Sequence, residues 1–246
     1  MQEGVNQVDR IPELSIVIPT RNEALNIPVL FSRLFEALDS AGLHAEIIVA
    51  DDASPDGTAG IAEALLPGRG QVLRRKGQFG LAPAVIDGFD AARAGTICVM
   101  DADLSHPPEL VVALARAVLE GAGIAVASRY VPGGGVEGWP LRRRIFSRAA
   151  CLLARPLTPV RDATSGFFCL RRSAMDGVKL RASGFKIGLE LFVKARAERI
   201  VELPFVFRDR REGSSKLGSR VMLQYLLQLL RLSLWRMFAP RGGNRD

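Results

Sequence analysis

The chain has 246 residues, 48% hydrophobic and 24% charged. That is enough to bury one large core, and it excludes disorder except at the polar ends, 1–10 and 241–246. The three cysteines, Cys98, Cys151 and Cys169, are scattered and odd in number, which excludes a disulfide framework or a zinc cluster and fits a reducing compartment. The net charge of +7 is unevenly divided: residues 1–138 carry 10 basic and 18 acidic groups, and residues 139–246 carry 23 and 8.

The first half alternates short β-branched runs with longer amphipathic stretches. Strands are expected over 14–19, 45–50, 71–75, 96–100 and 124–128, with helices over 24–41, 58–66, 82–94 and 108–120 between them. Such a βαβ succession implies an α/β fold, a doubly wound and mostly parallel sheet with helices on both faces. Ligands then bind outside the carboxyl ends of the strands. The polar clusters fall at those ends: TRNE at 20–23, DDASPDG at 51–57 and DAD at 101–103.

Beyond residue 128 the pattern loosens. The spacing gives a flexible glycine loop at 133–135, a basic helix over 141–155, a β-containing stretch at 163–170, a helix near 189–197 and a strand at 201–207. Residues 221–238 are almost wholly apolar and helical. Their longest uncharged run, 221–230, has 10 residues, against about 20 needed to span a bilayer. Gln224, Gln228 and Arg231 share one face of that helix and leave a wide apolar face. The acidic and polar residues ahead of the first apolar run argue against a signal peptide. The layout expected is a tail at 1–13, a main domain at 14–216, an amphipathic interfacial helix at 217–240 and a tail at 241–246.

Several residues in these segments have both a chemical and a plain reading. Asp101 and Asp103 follow an apolar strand, so their side chains point the same way and suit a hard divalent cation bridging a diphosphate. An Asp-rich turn gives the same letters. Ser105 is a weak further oxygen, and His106 is structural. Asp51 and Asp52 precede a turn whose chemistry explains Pro55, Asp56 and Gly57 but not two adjacent carboxylates. Glu23 either caps the next helix or meets a nucleoside. Arg142, Arg143, Arg144 and Arg148 crowd one helix, and Arg208, Arg210, Arg211, Lys216 and Arg220 surround a glycine–serine loop at 213–215. Both are solvated faces or phosphate sites. Nucleic acid is disfavoured, because aromatics are 7% of the chain and none interleaves with the arginines as a stacking platform.

In this order and spacing the segments resemble the polyprenol (dolichol) phosphate mannose synthases, inverting nucleotide-sugar glycosyltransferases with a GT-A fold. The likeness runs from residue 14 to 230. It is carried by IPTRNE at 18–23, DDASPDGT at 51–58, DADLSHPP at 101–108, ASRY at 127–130 and GGG at 133–135. Gly138 with Trp139, Arg143 with Ser147, DATSGF at 162–167, GFK at 184–186 with Glu190, and Arg210 ahead of GSSKL at 213–217 complete it.

The resemblance implies that Pro19, Arg21, Glu23, Val49, Asp51, Asp52, Asp101, Ala102, Asp103, Arg129, Arg210 and Lys216 bind the donor. Asp101, Asp103 and Ser105 hold Mg²⁺ or Mn²⁺, while Arg129, Arg143 and Ser147 grip a lipid phosphate. Arg21 stands where relatives often carry an aromatic residue, and Ser105 where some carry a stronger metal ligand. The function implied is transfer of a hexose, mannose from GDP-mannose first among them, to a polyprenyl phosphate. The work is done on the cytoplasmic face of a membrane, reached by the terminal helix or a membrane-protein partner. A phosphate acceptor needs no general base, because its second pKa near 6 leaves it largely dianionic. A hydroxyl acceptor would need one, with Glu190 or Asp162 as candidates. A transferase of glucose or an N-acetylhexosamine, and an inactive nucleotide-binding subunit, are the rival readings.

Overall fold

A computed structural model describes residues 11–76, 80–181, 186–208 and 219–238. Four strands, β1 (Leu14–Thr20), β2 (Ala45–Asp51), β3 (Gly70–Arg74) and β4 (Thr96–Val99), alternate with α1 (Ile27–Ala41), α2 (Thr58–Leu65) and α3 (Leu81–Ala91). Next come α4 (Leu110–Leu119), β5 (Ile124–Ser128), β6 (Gly135–Glu137), α5 (Leu141–Ala154) and β7 (Phe168–Arg171). The chain continues through α6 (Ile187–Lys194), β8 (Ile200–Pro204), β9 (Val206–Arg208) and α7 (Ser219–Phe238). The main sheet has the order β3-β2-β1-β4-β7-β5-β8. All neighbours are parallel except β7, which is antiparallel to both β4 and β5.

Alternation along the strands supplies a core to each face. Ile16 and Ile18 of β1, with Ile47 and Val49 of β2, meet α1 and α4 on one side. Val17 and Ile48, one residue out of phase, meet α3 and α6 on the other. Burial on both faces is what covered parallel sheets require. On the second face α3 lies so close to β1 that a Cβ on Gly88 would stand 2.3 Å from Val17 Cγ1; only glycine permits that approach.

Several expectations shift. Helix α1 starts at Ile27 rather than 24, because Glu23 to Asn26 form a turn in which the Asn26 and Ile27 N–H groups donate to the Glu23 carbonyl. Pro28 in the first turn then suits a helix start. The glycine loop at 133–135 leads directly into β6, which pairs in parallel with β9 as a small second sheet. The single strand expected at 201–207 is two, broken between Pro204 and Val206. There the Phe205 N–H turns to the Ser128 carbonyl. Of the stretch 163–170 only the end is strand.

Helix α7 packs on α5 through a third cluster that includes Ala154, Leu157, Leu189, Tyr225, Leu229 and Leu232. Tyr225 Oη donates to the Ala150 carbonyl at 2.7 Å, and Arg236 Nη1 to the carbonyls of Pro156 and Leu157. No helix among the described residues is long and apolar enough to cross a membrane.

Candidate active site

Strands β1, β2 and β4 deliver their loops to one edge of the sheet, and each loop contains a residue twisted into the left-handed region. These are Asn22 (φ 59°), Ala53 (φ 50°) and Leu104 (φ 61°), the only non-glycine positive-φ residues among those described. Asparagine tolerates this conformation; alanine and leucine do so only under tertiary constraint. Their convergence on one rim marks the place where the fold stores strain.

The loop after β4 carries the carboxylate pair. Strand pairing stops at Val99, so Asp101 to Asp103 lie beyond regular strand geometry. The alternation nevertheless persists: Ala102 is buried in the first core cluster, and Asp101 and Asp103 on either side of it are partly exposed. Asp103 Oδ1 accepts from the Ser105 N–H at 3.0 Å and the Ser105 hydroxyl at 2.5 Å. Ser105 is itself buried, so it braces Asp103 rather than offering an open ligand oxygen.

His106 is fully buried and stacks on Phe167 with centroids 4.9 Å apart. Its Nδ1 accepts from the Asp101 N–H at 3.1 Å, and its Nε2 faces Asp101 Oδ2 at 3.8 Å. Burial pushes its pKa down against the pull of Asp101 and Asp103. A neutral ring with Nδ1 accepting keeps its proton on Nε2, on the side of the Asp101 carboxylate. Hard carboxylate oxygens on one rim fit Mg²⁺ or Mn²⁺, with the remaining positions left to diphosphate and water. Among the described residues no cluster of three or more His, Cys, Asp or Glu side chains forms a protein-only metal site.

The other two loops explain themselves by internal partners. Asp51 accepts from the Thr20 hydroxyl, the Ser54 N–H and the Ser54 hydroxyl. Asp52 pairs with Arg75 and accepts from the Gly80 N–H at 2.7 Å. The adjacent carboxylates that turn chemistry left over thus tie the β2 loop to β1, β3 and α3. Arg21 reaches across to the carbonyls of Asp52 and Ala53, and Glu23 accepts from Asn26 Nδ2 at 2.6 Å. Pro19, next to last in β1, is partly exposed near the rim. Val49 does not face the crevice: its side chain is fully buried in the core, because it sits mid-strand between Ile18 and Val72.

Past β5 the rim turns basic. Arg129 is held at Nε and Nη2 by Asp162, at 2.7 and 2.6 Å, and by the Thr164 hydroxyl at 2.8 Å. Burial raises the Asp162 carboxyl, but the Arg129 side chain and N–H more than offset this and hold it below its ordinary value. The Arg129 guanidinium also faces the rings of Tyr130, Trp139 and Phe207 within 5.8 Å. Arg143 stacks on Trp139 at 4.0 Å, and Ser147 accepts from Tyr130 Oη at 2.7 Å. Arg129, Arg143 and Ser147 therefore share one aromatic-lined wall. Arg210 and Lys216 lie outside the described residues, as do the 213–215 loop and most of the tails.

The sequence reading missed Lys186, half-buried, whose Nζ donates to the Thr164 carbonyl at 3.1 Å. Burial and Arg129 lower its pKa, while Asp101 and Asp162 raise it, so it links the two halves of the rim. The only hint was its place in the GFK stretch. Both carboxylates considered as a base are engaged: Asp162 in the fully buried Arg129 pair, Glu190 with Lys194 inside the protein.

The glycosyl transferase family 2 profile matches residues 15–178. The chain is 43% identical over 228 residues to a dolichol-phosphate mannosyltransferase of Pyrococcus furiosus, covering 91% of this chain and 64% of that protein. It is 38% identical over 240 residues to one of Saccharomyces cerevisiae, covering 92% and 89%. The chain thus spans just under two thirds of the archaeal relative and most of the yeast one. Among solved structures, glucosyl-3-phosphoglycerate synthase from Mycobacterium tuberculosis, in complex with Mn²⁺, UDP and glucosyl-3-phosphoglycerate, superposes with a TM-score of 0.68. It has 21% identity, with 99% of this chain and 88% of that one covered, a likeness of fold. Matched by that profile from strand β1 past β7 and by relatives at 38–43% identity over nine tenths of its length, the chain belongs to glycosyl transferase family 2.

Proposed function

We propose that this protein transfers a mannosyl residue from GDP-mannose to a polyprenyl monophosphate at a membrane surface, with inversion at the sugar carbon. The observation that carries this is the pairing of the rim's two halves: partly exposed carboxylates share the rim with an arginine wall, and both carboxylates considered as a base are held in ion pairs. A hydroxyl acceptor needs a carboxylate to take its proton, and Asp162 and Glu190 are both engaged in buried ion pairs. A phosphate monoester arrives already ionised, so the protein's task is to bring two anions together and hold them in line.

Asp101 and Asp103 would hold Mg²⁺ or Mn²⁺, which when bound neutralises the leaving diphosphate. Ser105 braces the Asp103 carboxylate, and His106 holds the backbone N–H of Asp101. Arg143 and Ser147, with Arg129 behind them, meet the acceptor phosphate on the Trp139 wall. Pro19, Arg21, Glu23 and the Asp51–Asp52 loop border the nucleoside side, and the donor phosphates are assigned to Arg210 and Lys216. Single displacement by the phosphate oxygen breaks the sugar–diphosphate bond and turns an α-linked donor into a β-linked product.

Attachment is peripheral, on the cytoplasmic face, through the exposed apolar side of α7, with or without a membrane-protein partner. Incubation of the purified chain with polyprenyl phosphate, Mn²⁺ and a panel of GDP- and UDP-sugars tests the whole reading. A β-linked polyprenyl phosphate mannose made from GDP-mannose is the expected product. Exclusive use of a UDP-sugar, or of a glycan hydroxyl as acceptor, overturns it.

A further inference from the structure

Helix α5 presents two arginine-bearing faces. One sets Arg143 on Trp139 and Ser147 on Tyr130, and belongs to the rim already described. About 100° round the helix, Arg144 and Arg148 stand one turn apart and line a cavity of about 240 Å³ that adjoins that rim, with Tyr130 and the backbone of Gly134 and Gly135 in its wall. Glycine is required in that wall: a Cβ on Gly134 would lie 2.5 Å from the Ser128 carbonyl oxygen. Arg129 also borders the cavity, but Asp162 and Thr164 engage its Nε and Nη2. Arg144 is steadied by one bond from Nε to the Trp139 carbonyl at 3.1 Å. A water takes about 30 Å³ of liquid, so the cavity has room for a phosphodiester and its hydration.

What lies beside the arginines narrows the ligand. Leu141, Ile145 and Leu152 fall within a sixth of a turn of one another on α5, next to Arg148, and are 72%, 58% and 71% exposed. Exposed leucines beside arginines have no use for a nucleic acid. They match the boundary of a bilayer, where phosphates sit one layer above acyl chains. Two guanidiniums one helical turn apart suit a phosphodiester's oxygens through bidentate donation, which a lysine cannot copy.

We propose that this cavity binds the phosphodiester of an anionic phospholipid headgroup, separately from the acceptor, and thereby seats α5 on the membrane. The inference rests on the membrane part of the function proposed above. It is tested with the full chain and two sets of vesicles, phosphatidylcholine alone and phosphatidylcholine with phosphatidylglycerol. Both lack polyprenyl phosphate, so binding cannot come from the acceptor.

Diffuse attraction responds to charge alone, about five-fold in partition per arginine, and is blind to an arginine-to-lysine change. The double variant Arg144→Lys with Arg148→Lys should therefore lose about ten-fold or more on phosphatidylglycerol vesicles while melting like the wild type. Arg142→Lys, on the same helix but outside the cavity, should bind as the wild type does. Unchanged binding by the double lysine variant overturns the site, as does an equal loss in Arg142→Lys. A wild type that ignores phosphatidylglycerol vesicles at low salt overturns it too, and hands the face to a protein partner. Sugar transfer is no part of the readout, so a wrong assignment of the reaction would show in the turnover assay and leave this result standing.

Discussion

Helices α1 and α7 are both strongly apolar, yet they dispose of that surface in opposite ways. Helix α1 turns Ile27, Leu30, Phe31, Leu34 and Leu38 onto the sheet and leaves Arg33 and Asp39 on surface salt bridges. Helix α7 turns Tyr225, Gln228, Leu229 and Leu232 inward and leaves Leu223, Leu226, Leu227, Leu230 and Leu234 exposed. Gln228 donates from Nε2 to the Lys186 carbonyl at 2.9 Å, so a polar residue sits where α1 would place a leucine. The lesson is that apolar content alone does not say which side of a helix the protein covers. Among the described residues that face is left open, and it is the surface through which attachment is proposed. The same division runs through the site: the half around α1 holds carboxylates braced by hydroxyls and backbone N–H groups, and the half around α5 and α7 holds arginines laid on aromatic rings.

The division can be broken first at the rim. Asp103→Ala removes a carboxylate that no neighbour replaces, and kcat should fall by about 10³-fold or more with loss of metal-dependent donor binding. Full activity, or a wild type indifferent to chelator, would show that the acidic half does not hold a cation. Asp162→Ala strands Arg129 as a buried unpaired charge and should cost about 3–5 kcal/mol in denaturant unfolding. Its pH dependence follows from the sign of the shift. The folded-state pKa of Asp162 lies below the unfolded value, so the pair's contribution is full above about pH 4 and is lost as pH falls through the folded pKa. The variant's unfolding curve should lose part of that acid sensitivity.

Two substitutions then weigh the helices against each other. Leu34→Ala, at a fully buried position of α1, should destabilise by about 2–5 kcal/mol. Leu226→Gln with Leu230→Gln on α7 should change stability by no more than about 0.5 kcal/mol per site, while weakening co-sedimentation with anionic liposomes. A large loss of stability from the α7 pair would mean that the exposed face is covered within the protein. Between these in size, Arg143→Ala should raise the acceptor KM about 10- to 100-fold, roughly 1.5–3 kcal/mol for a charged hydrogen bond, and leave donor affinity near the wild type. A fall in nucleotide affinity with an unchanged acceptor KM would exchange the roles of the two basic clusters.

The sequence alone determined the sheet and the place of the candidate site. Alternation such as Ile16 and Ile18 against Val17 is written residue by residue, so the five strands of the first half and the helices between them could be read to within a few residues. The clusters at 20–23, 51–57 and 101–103 follow their strands directly and needed only a parallel sheet to bring them together.

What the carboxylates do was decided by tertiary structure. Asp52 meets Arg75 from 23 positions away and Asp162 meets Arg129 from 33, and no local pattern announces either pair. The strand β6 hidden in a glycine loop, the burial of Val49 and Ser105, and Lys186 beneath the rim are likewise products of long-range packing. The outward turn of α7 is the clearest case. Its residues prescribe a helix with an apolar side, but the direction of that side depends on what α5 and α6 leave uncovered. That is a property of surfaces assembled from distant parts of the chain.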